Sequence, residues 1–325
     1  MANLITNYLG LKLKNPVIVS SSGLTSNLES IKQLEKNGAA AVVLKSLFEE
    51  QILNEAGVLS GQSDYPEAED YLKAYVTSNN VSKYLELITK AKESVNIPVI
   101  ASINCVDAYK WIDFAAQIQQ AGADALEINV FLLPSNINKT ADEYESVYFD
   151  LAEKLKKVIT IPISFKLGNH FTNPIRIIQQ LWFRKVRGVT LFNRFFAPDI
   201  DIDKLKVIPA EVFSSPTEIR DILRWVAIAS HEVPEINISA STGIHNGDAA
   251  IKMLLAGATT LQVCSTLYIH GASHLGKIIE FIEKWMDGKG YKSIDDFRGL
   301  MSYKNIGDPE VYERSQFMRH FSAHE

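Results

Sequence analysis

The chain has 325 residues, 46% hydrophobic and 22% charged, with 33 basic against 38 acidic side chains and a formal net charge of −5. A disordered chain is more polar and a membrane-spanning one more apolar, so these values describe a soluble globular protein whose length admits one large domain. The acidic balance excludes a protein that tracks nucleic-acid phosphates, which needs a basic stripe.

Residues 1–14 alternate loosely and predict a hairpin that plugs the bottom of the domain. From there short β-rich runs and amphipathic helical stretches take turns. Strands are predicted at 16–22, 40–46, 98–104, 125–130, 162–168, 188–193, 236–242 and 260–266, each nearly continuous in apolar residues, as in a parallel sheet covered on both faces. Helices are predicted at 27–35, 82–94, 107–120, 142–158, 174–185, 217–230, 248–256 and 275–286, and Asn173 before Pro174 reads as a cap with a first-turn proline. Three helix-to-strand junctions share one pattern, a glycine and then a small residue, at Gly38, Gly122 and Gly257. Eight βα units in series predict an α/β protein, a closed (β/α)8 TIM barrel in a single domain spanning 1–325. The doubly wound alternative lacks its glycine-rich first turn here. Two long βα loops, 47–81 after strand two and 194–216 after strand six, lie on the side where barrels build their sites. The tail at 287–325 carries Tyr291, Phe297, Tyr303, Tyr312 and Phe317, so it is expected to pack on the barrel or on a neighbouring subunit.

The ends of the predicted strands are polar throughout: Ser22-Gly23, Lys45-Ser46, Asn104, Asn129, Lys166, Asn193, Thr242-Gly243 and Cys264-Ser265. Burying an unpaired amide or ammonium costs on the order of several kcal/mol, so a ring of such ends reads as the lining of a ligand site. The alternative reading of Ser22, Ser46 and Thr242 is as helix caps, which Lys45 and Lys166 do not allow, because a cap accepts hydrogen bonds and an ammonium only donates. A lysine at a barrel mouth either forms a Schiff base or holds an anionic group. Thr242-Gly243 and Cys264-Ser265 follow strands seven and eight, where barrels commonly place a phosphate.

Several of these segments resemble the dihydroorotate dehydrogenase family, in its soluble dihydroorotate dehydrogenase-like branch. They are Asn15-Pro16, Val43-Leu-Lys45-Ser46, Ala101-Ser-Ile-Asn104, Leu126-Glu-Ile-Asn129, Ile163-Ser-Phe-Lys166, Ser241-Thr-Gly243-Ile with Asn246-Gly247-Asp248, and Leu255-Ala-Gly-Ala-Thr-Thr-Leu-Gln-Val. They recur in the family's order over about residues 10–290, and Asn193-Arg-Phe-Phe-Ala-Pro-Asp belongs with them. The resemblance implies FMN on the barrel mouth and a hydride taken from a carbon–carbon bond, as in the dihydroorotate-to-orotate step of pyrimidine biosynthesis. It implies that Ser22, Gly23, Lys45, Ser46, Asn104, Asn129, Lys166, Thr242, Gly243, Cys264 and Ser265 hold the flavin. Lys166 would then stabilise negative charge on its N1–C2 carbonyl edge. Lys45, Asn129, Asn193 and Arg194 would orient a small polar or anionic substrate, and Ser135 would take part in proton transfer. A homodimer, and a soluble electron acceptor or a separate redox partner, are implied in the same way.

The substrate side has its own chemistry. The family's loop after strand four, Asn-x-Ser-Cys-Pro-Asn, reads Asn129-Val-Phe-Leu-Leu-Pro134-Ser135-Asn136 here, with no cysteine and with the serine after the proline. The asparagine-rich loop after strand two is replaced by a segment holding Tyr65, Glu67, Glu69, Asp70 and Tyr71. Arg194 stands where a small hydroxyl residue is expected, and Ser214-Ser215-Pro216 replaces a glycine-rich stretch. The residues alone leave two other functions open: a Schiff-base lyase or aldolase on the same barrel, and a flavin-binding protein without dehydrogenase turnover. Cys105 reads as buried packing before it reads as a displaced base, and His170 as a surface histidine before a proton donor. His245 serves a phosphate or caps a helix. Asp199, Asp201 and Asp203 read as the solvated edge of a short strand, and no metal is expected. Two cysteines make no disulfide framework, four-cysteine zinc site or iron–sulfur cluster. With no leader sequence and no long apolar run, the expected location is the cytoplasm, without contact to membrane or nucleic acid.

Overall fold

A computed structural model describes residues 2–48, 66–104, 112–130, 132–195 and 197–313, with the backbone alone at 48, 66–79 and 113. Among the described residues, eight parallel strands close into a barrel: β1 (Val17–Val19), β2 (Ala41–Val43), β3 (Val99–Asn104), β4 (Ala125–Asn129), β5 (Ile163–Leu167), β6 (Gly188–Leu191), β7 (Asn237–Ser241) and β8 (Thr260–Val263). Each pairs with the next, and Leu261 of β8 pairs with Val17 of β1 to complete the ring. The outer helices are α1 (Leu28–Lys36), α2 (Pro66–Ser94), α3 (Ile112–Gln120), α4 (Ala141–Val158), α5 (Pro174–Phe183), α6 (Ile219–Glu232), α7 (Gly247–Ala256) and α8 (His274–Lys289). This is the (β/α)8 TIM barrel that the strand rhythm predicts.

Local chemistry sets the boundaries. Asn27, Thr140, Asn173 and Asn246 each accept a backbone N–H with the side chain at a helix start, which satisfies a donor the helix leaves open. Gly38, Gly122 and Gly257 turn the chain with φ of 105°, 96° and 111°, a left-handed conformation that a side chain would strain.

Two segments depart from the sequence expectation. Strand two stops at Val43, and after Lys45 and Ser46 the chain re-pairs at Leu47–Phe48 with the end of β3. Helix α2 begins at Pro66, well before the expected residue 82. The stretch Thr77-Ser-Asn-Asn-Val-Ser82 has poor helix propensity and reads as loop, because such side chains compete for the backbone. The loop after β6 holds an antiparallel hairpin, Pro198–Asp201 with Lys206–Pro209, and Asp201 accepts the N–H groups of Asp203 and Lys204 at its turn.

Alternate strand residues face opposite sides of the barrel wall. Leu126, Ile128, Phe165, Val189, Leu261 and Val263 point out into the core shared with the helices. Inside, Ile18, Val43, Ile100 and Ala125 make a smaller apolar cluster, completed by Tyr8 of the amino-terminal hairpin (Thr6–Tyr8 with Leu11–Leu13). The Leu9 N–H donates to Asn237 Oδ1 at 2.8 Å, which ties the hairpin to the base of β7. At the other end of the chain, the N–H groups of Gly299, Met301 and Tyr303 donate to carbonyls of Leu254, Leu255 and Ala227, strapping the tail across α7 and α6. Trp285, Tyr291 and Phe297 stack beside it. Phe317 lies outside the described residues, as does Cys105. No helix among the described residues is long and apolar enough to cross a membrane.

Candidate active site

The strand ends converge as the ring of polar residues requires. A cleft of about 210 Å³ opens at the carboxyl-terminal face between the tops of β1, β5, β7 and β8. Lys166, Asn193, Thr242, Gly243, Cys264 and Ser265 line it, together with Ser20, which sequence reasoning missed. Lys166 is only 7% exposed, and its Nζ donates to Ser20 Oγ at 3.1 Å. A buried ammonium with few partners is costly, so it is placed for a group that accepts hydrogen bonds from above.

Beside it, Asn104 and Asn129 sit at paired positions on β3 and β4. Asn129 Oδ1 accepts from Asn193 Nδ2 at 3.0 Å. Asn104 is 1% exposed and its Oδ1 has no partner among the described residues. An unpaired buried amide oxygen costs about 1–3 kcal/mol, so a native site keeps one for a ligand or a water.

The loops after β7 and β8 are drawn together by a residue from the loop after β6. The Ser214 N–H donates to Ser265 Oγ at 3.0 Å, and Ser214 Oγ pairs with His245 Nε2 at 3.1 Å. Burial pushes the His245 imidazole below its usual range, with His270 and His274 adding to the effect, so it stays neutral. Thr242 and Gly243 both have positive φ, 78° and 76°, which bends the backbone sharply around the cleft. A Cβ on Gly243 would run into the Ile219 backbone, so nothing larger fits. Burial raises the Cys264 thiol above its usual value, with Ser22 and Lys166 pulling the other way, and the sulfur remains a thiol.

Other expected residues take different positions. Ser46 is buried beneath the rim, its Oγ 2.7 Å from Ser102 Oγ and 3.0 Å from Ser21 Oγ. Ser22 caps the short turn Gly23–Thr25, and both Gly23 and Lys45 are exposed at the rim. Arg194 lines the cleft, but its guanidinium is turned away, donating to Glu218 at 2.8 Å and to the carbonyls of Glu211 and Val212. It clamps the loop that carries Ser214. Burial pushes the Glu218 carboxyl up, yet hydrogen bonds from Arg194 and the Ser215 N–H outweigh this and hold it below the usual range. Ser135 is exposed on the loop after β4 and does not line the cleft. A second cavity of about 270 Å³ lies alongside, where Leu132, Pro134 and Asn136 face Gly168 and His170. The His170 ring meets Phe195 edge-on, 4.6 Å between centroids.

Beneath Lys166 the barrel interior is polar. Ser20 Oγ donates to Gln262 Oε1 at 3.0 Å, and Gln262 Nε2 donates to Glu127 Oε2 at 2.7 Å. Thr190 Oγ1 also donates to Glu127 Oε2, at 2.9 Å. The sequence did carry a sign of this layer: Glu127 and Asn129, Ser164 and Lys166, Ser239 and Ser241, Thr260 and Gln262 all recur at the period of two that marks one face of a strand.

A closed barrel with a buried cation and an open amide acceptor at its carboxyl-terminal mouth is the architecture of a barrel enzyme whose loops build the site on that face. A family model described as Dihydroorotate dehydrogenase matches residues 3–286, and the chain belongs to that family of oxidoreductases. Among its relatives is the catalytic subunit of dihydroorotate dehydrogenase B (NAD(+)) from Thermoplasma acidophilum, 28% identical over 310 residues, covering 92% of this chain and 99% of the relative. The corresponding subunit from Methanocaldococcus jannaschii is 28% identical over 287 residues, covering 85% and 91%. Dihydroorotate dehydrogenase A (fumarate) from Lactococcus lactis subsp. lactis is 26% identical over 322 residues, covering 91% and 98%.

Proposed function

We propose that the protein is an FMN-dependent oxidoreductase that acts on a carbon–carbon single bond of a small polar or anionic substrate related to dihydroorotate. The observation that carries this reading is the pairing of Lys166, a buried ammonium at the floor of the cleft, with Asn104 on the same rim, whose Oδ1 has no partner among the described residues. The donor set fits a flavin: a cation for a carbonyl edge that gains negative charge, an amide acceptor for a ring N–H, and a tight Gly243 turn with Ser265 for a phosphate. FMN, when bound, supplies the acceptor for a hydride. Lys166 stabilises negative charge by a preorganised ammonium that needs no reorganisation. Asn129 and Asn193 orient the substrate through the amide groups their mutual bond leaves free, and Lys45 at the exposed rim attracts an anion. Ser135 is the proposed proton acceptor. Because it lies outside the cleft lining, a Ser135→Ala variant is the sharpest check on that assignment.

The relatives' names differ in the electron acceptor, NAD(+) for one and fumarate for another. For this chain we assign the role to a soluble oxidant or a separate redox protein. A homodimer is proposed as well. Its support is the hairpin after β6, which leaves Ile200, Ile202, Leu205 and Val207 exposed to solvent on one short element.

The test is an anaerobic visible spectrum of the purified protein, before and after adding dihydroorotate. A bound flavin band that bleaches at a catalytic rate supports the full reading. A band that persists keeps the cofactor and removes dihydroorotate as the substrate. A protein that takes up no FMN overturns the proposal.

A further inference from the structure

Glu127 lies at the centre of the barrel, 1% exposed, well below the cleft. A carboxyl group there would be expensive without a purpose, since bulky branched residues usually fill a barrel interior. Its hydrogen bonds run one way. Lys166 Nζ donates to Ser20 Oγ, Ser20 donates to Gln262 Oε1, and Gln262 Nε2 donates to Glu127 Oε2. Thr190 Oγ1 accepts a bond from the same Gln262 Nε2 at 3.1 Å and donates its own to Glu127. An ammonium can only donate and a carboxylate can only accept, so these charges at the two ends impose this direction on every link between them. With the Gln262 amide flipped, its oxygen would face the carboxylate and its nitrogen would face a Ser20 hydroxyl already taking a bond from Lys166.

We infer that Glu127 is a positioning residue that acts on the cleft through Gln262 and Ser20, holding the Lys166 side chain in place at the floor of the site. The charged and titratable groups around the pair agree with this. Burial keeps Tyr8, from the amino-terminal hairpin, and Tyr84, from α2, neutral, and the nearby Glu127 adds to this in both. Near Lys166, the Cys264 thiol is un-ionised and Arg194 is committed to Glu218. Glu127 is therefore the negative charge joined to Lys166 by hydrogen bonds. The inference deepens the flavin reading and rests on it, although the coupling between the two charges exists without cofactor.

The test uses sulfite, which adds to bound flavin, abolishes its visible band and binds more tightly when a cation faces the N1–C2 edge. Sulfite affinity is measured for the FMN-loaded wild type and for Glu127→Gln, which keeps shape and hydrogen bonding but removes the charge. Without that charge nothing fixes the direction of the chain, so Lys166 is held less firmly and sulfite should bind about tenfold more weakly to the variant than to the wild type. Ser20→Ala, which cuts the chain at its first link, should move in the same direction. On a Lys166→Met background the Glu127→Gln change should leave sulfite affinity unchanged. An unchanged sulfite affinity with Lys166 present overturns the inference, and so does a loss that persists on the Lys166→Met background, because a merely structural role does not depend on Lys166. Thermal unfolding of the flavin-free protein gives a second readout. Glu127→Gln and Lys166→Met together should cost less than the sum of the two alone, since each single variant strands a buried charge. Additive losses overturn the inference. Failure to bind FMN overturns the cofactor reading and leaves this cycle to decide the coupling.

Discussion

Asn193 Nδ2 donates to Asn129 Oδ1 across 3.0 Å, and this bond orients both amides at the mouth of the barrel. Asn129 is left with its Nδ2 donor and Asn193 with its Oδ1 acceptor, one of each kind side by side. A ring carrying both a carbonyl and an N–H is complementary to such a pair. Replacing Asn193 with Ala removes one contact and frees Asn129 to rotate. The expected result is a rise in KM of roughly tenfold, as one lost hydrogen bond gives, with flavin content unchanged. Steady-state kinetics with the flavin spectrum as control would check it.

Gly243 has φ of 76° and no room for a side chain beside Ile219. Gly243→Ala should cost about 1–3 kcal/mol of stability and weaken cofactor binding, because the strained residue sits where the loops after β6 and β7 meet. Thermal denaturation and FMN titration would report the two effects separately. Equal affinity in the variant would mean that this turn does not carry the phosphate.

The neutral His245 predicts a dependence on pH. Unfolded, its imidazole takes up a proton near about pH 6.5, while the folded protein resists protonation because the ring is buried. The group's contribution is therefore fully present above that value and is lost as pH falls towards the depressed folded value. Wild type should lose thermal stability from neutral to mildly acidic pH more steeply than His245→Gln. Melting curves at several pH values would show two parallel trends instead if His245 were not responsible.

Val207 and Leu205 stand exposed on the hairpin after β6. If this hairpin joins two copies, Val207→Glu should convert a dimer to a monomer in analytical ultracentrifugation, since a buried unpaired charge at an interface costs about 2–5 kcal/mol or more. An unchanged mass would place the interface elsewhere or exclude it.

Tyr8 is fully buried at the bottom of the barrel, where the amino-terminal hairpin meets the inner apolar cluster. Tyr8→Ala should destabilise the fold by about 3–5 kcal/mol, the cost of emptying an aromatic site. Chemical denaturation would measure it. A loss below about 1 kcal/mol would mean that the hairpin only covers the barrel and does not help to fill it.

Much of the molecule was legible in the linear chain. Strand positions followed from apolar runs bounded by glycine and proline, and one helix start from Asn173 before Pro174. The polar ends of the strands pointed to the mouth of the barrel because no strand buries Lys166 or Asn104 without a reason. These are local properties, decided by backbone conformation and by what a residue costs when buried. What the chain order did not reveal was which polar groups meet. Ser20 and Lys166 are separated by 146 positions, Ser20 and Gln262 by 242, Gln262 and Glu127 by 135. Their contact depends on the stagger of neighbouring strands when the barrel closes, and no local propensity encodes that stagger. In the same way Arg194 was expected to orient substrate beside Asn193, until the fold set Glu218 within 2.8 Å of it. The sequence by itself determined the barrel and the face that bears the site, while barrel closure alone decided the partners of each buried charge, because those partners come from strands far apart in the chain.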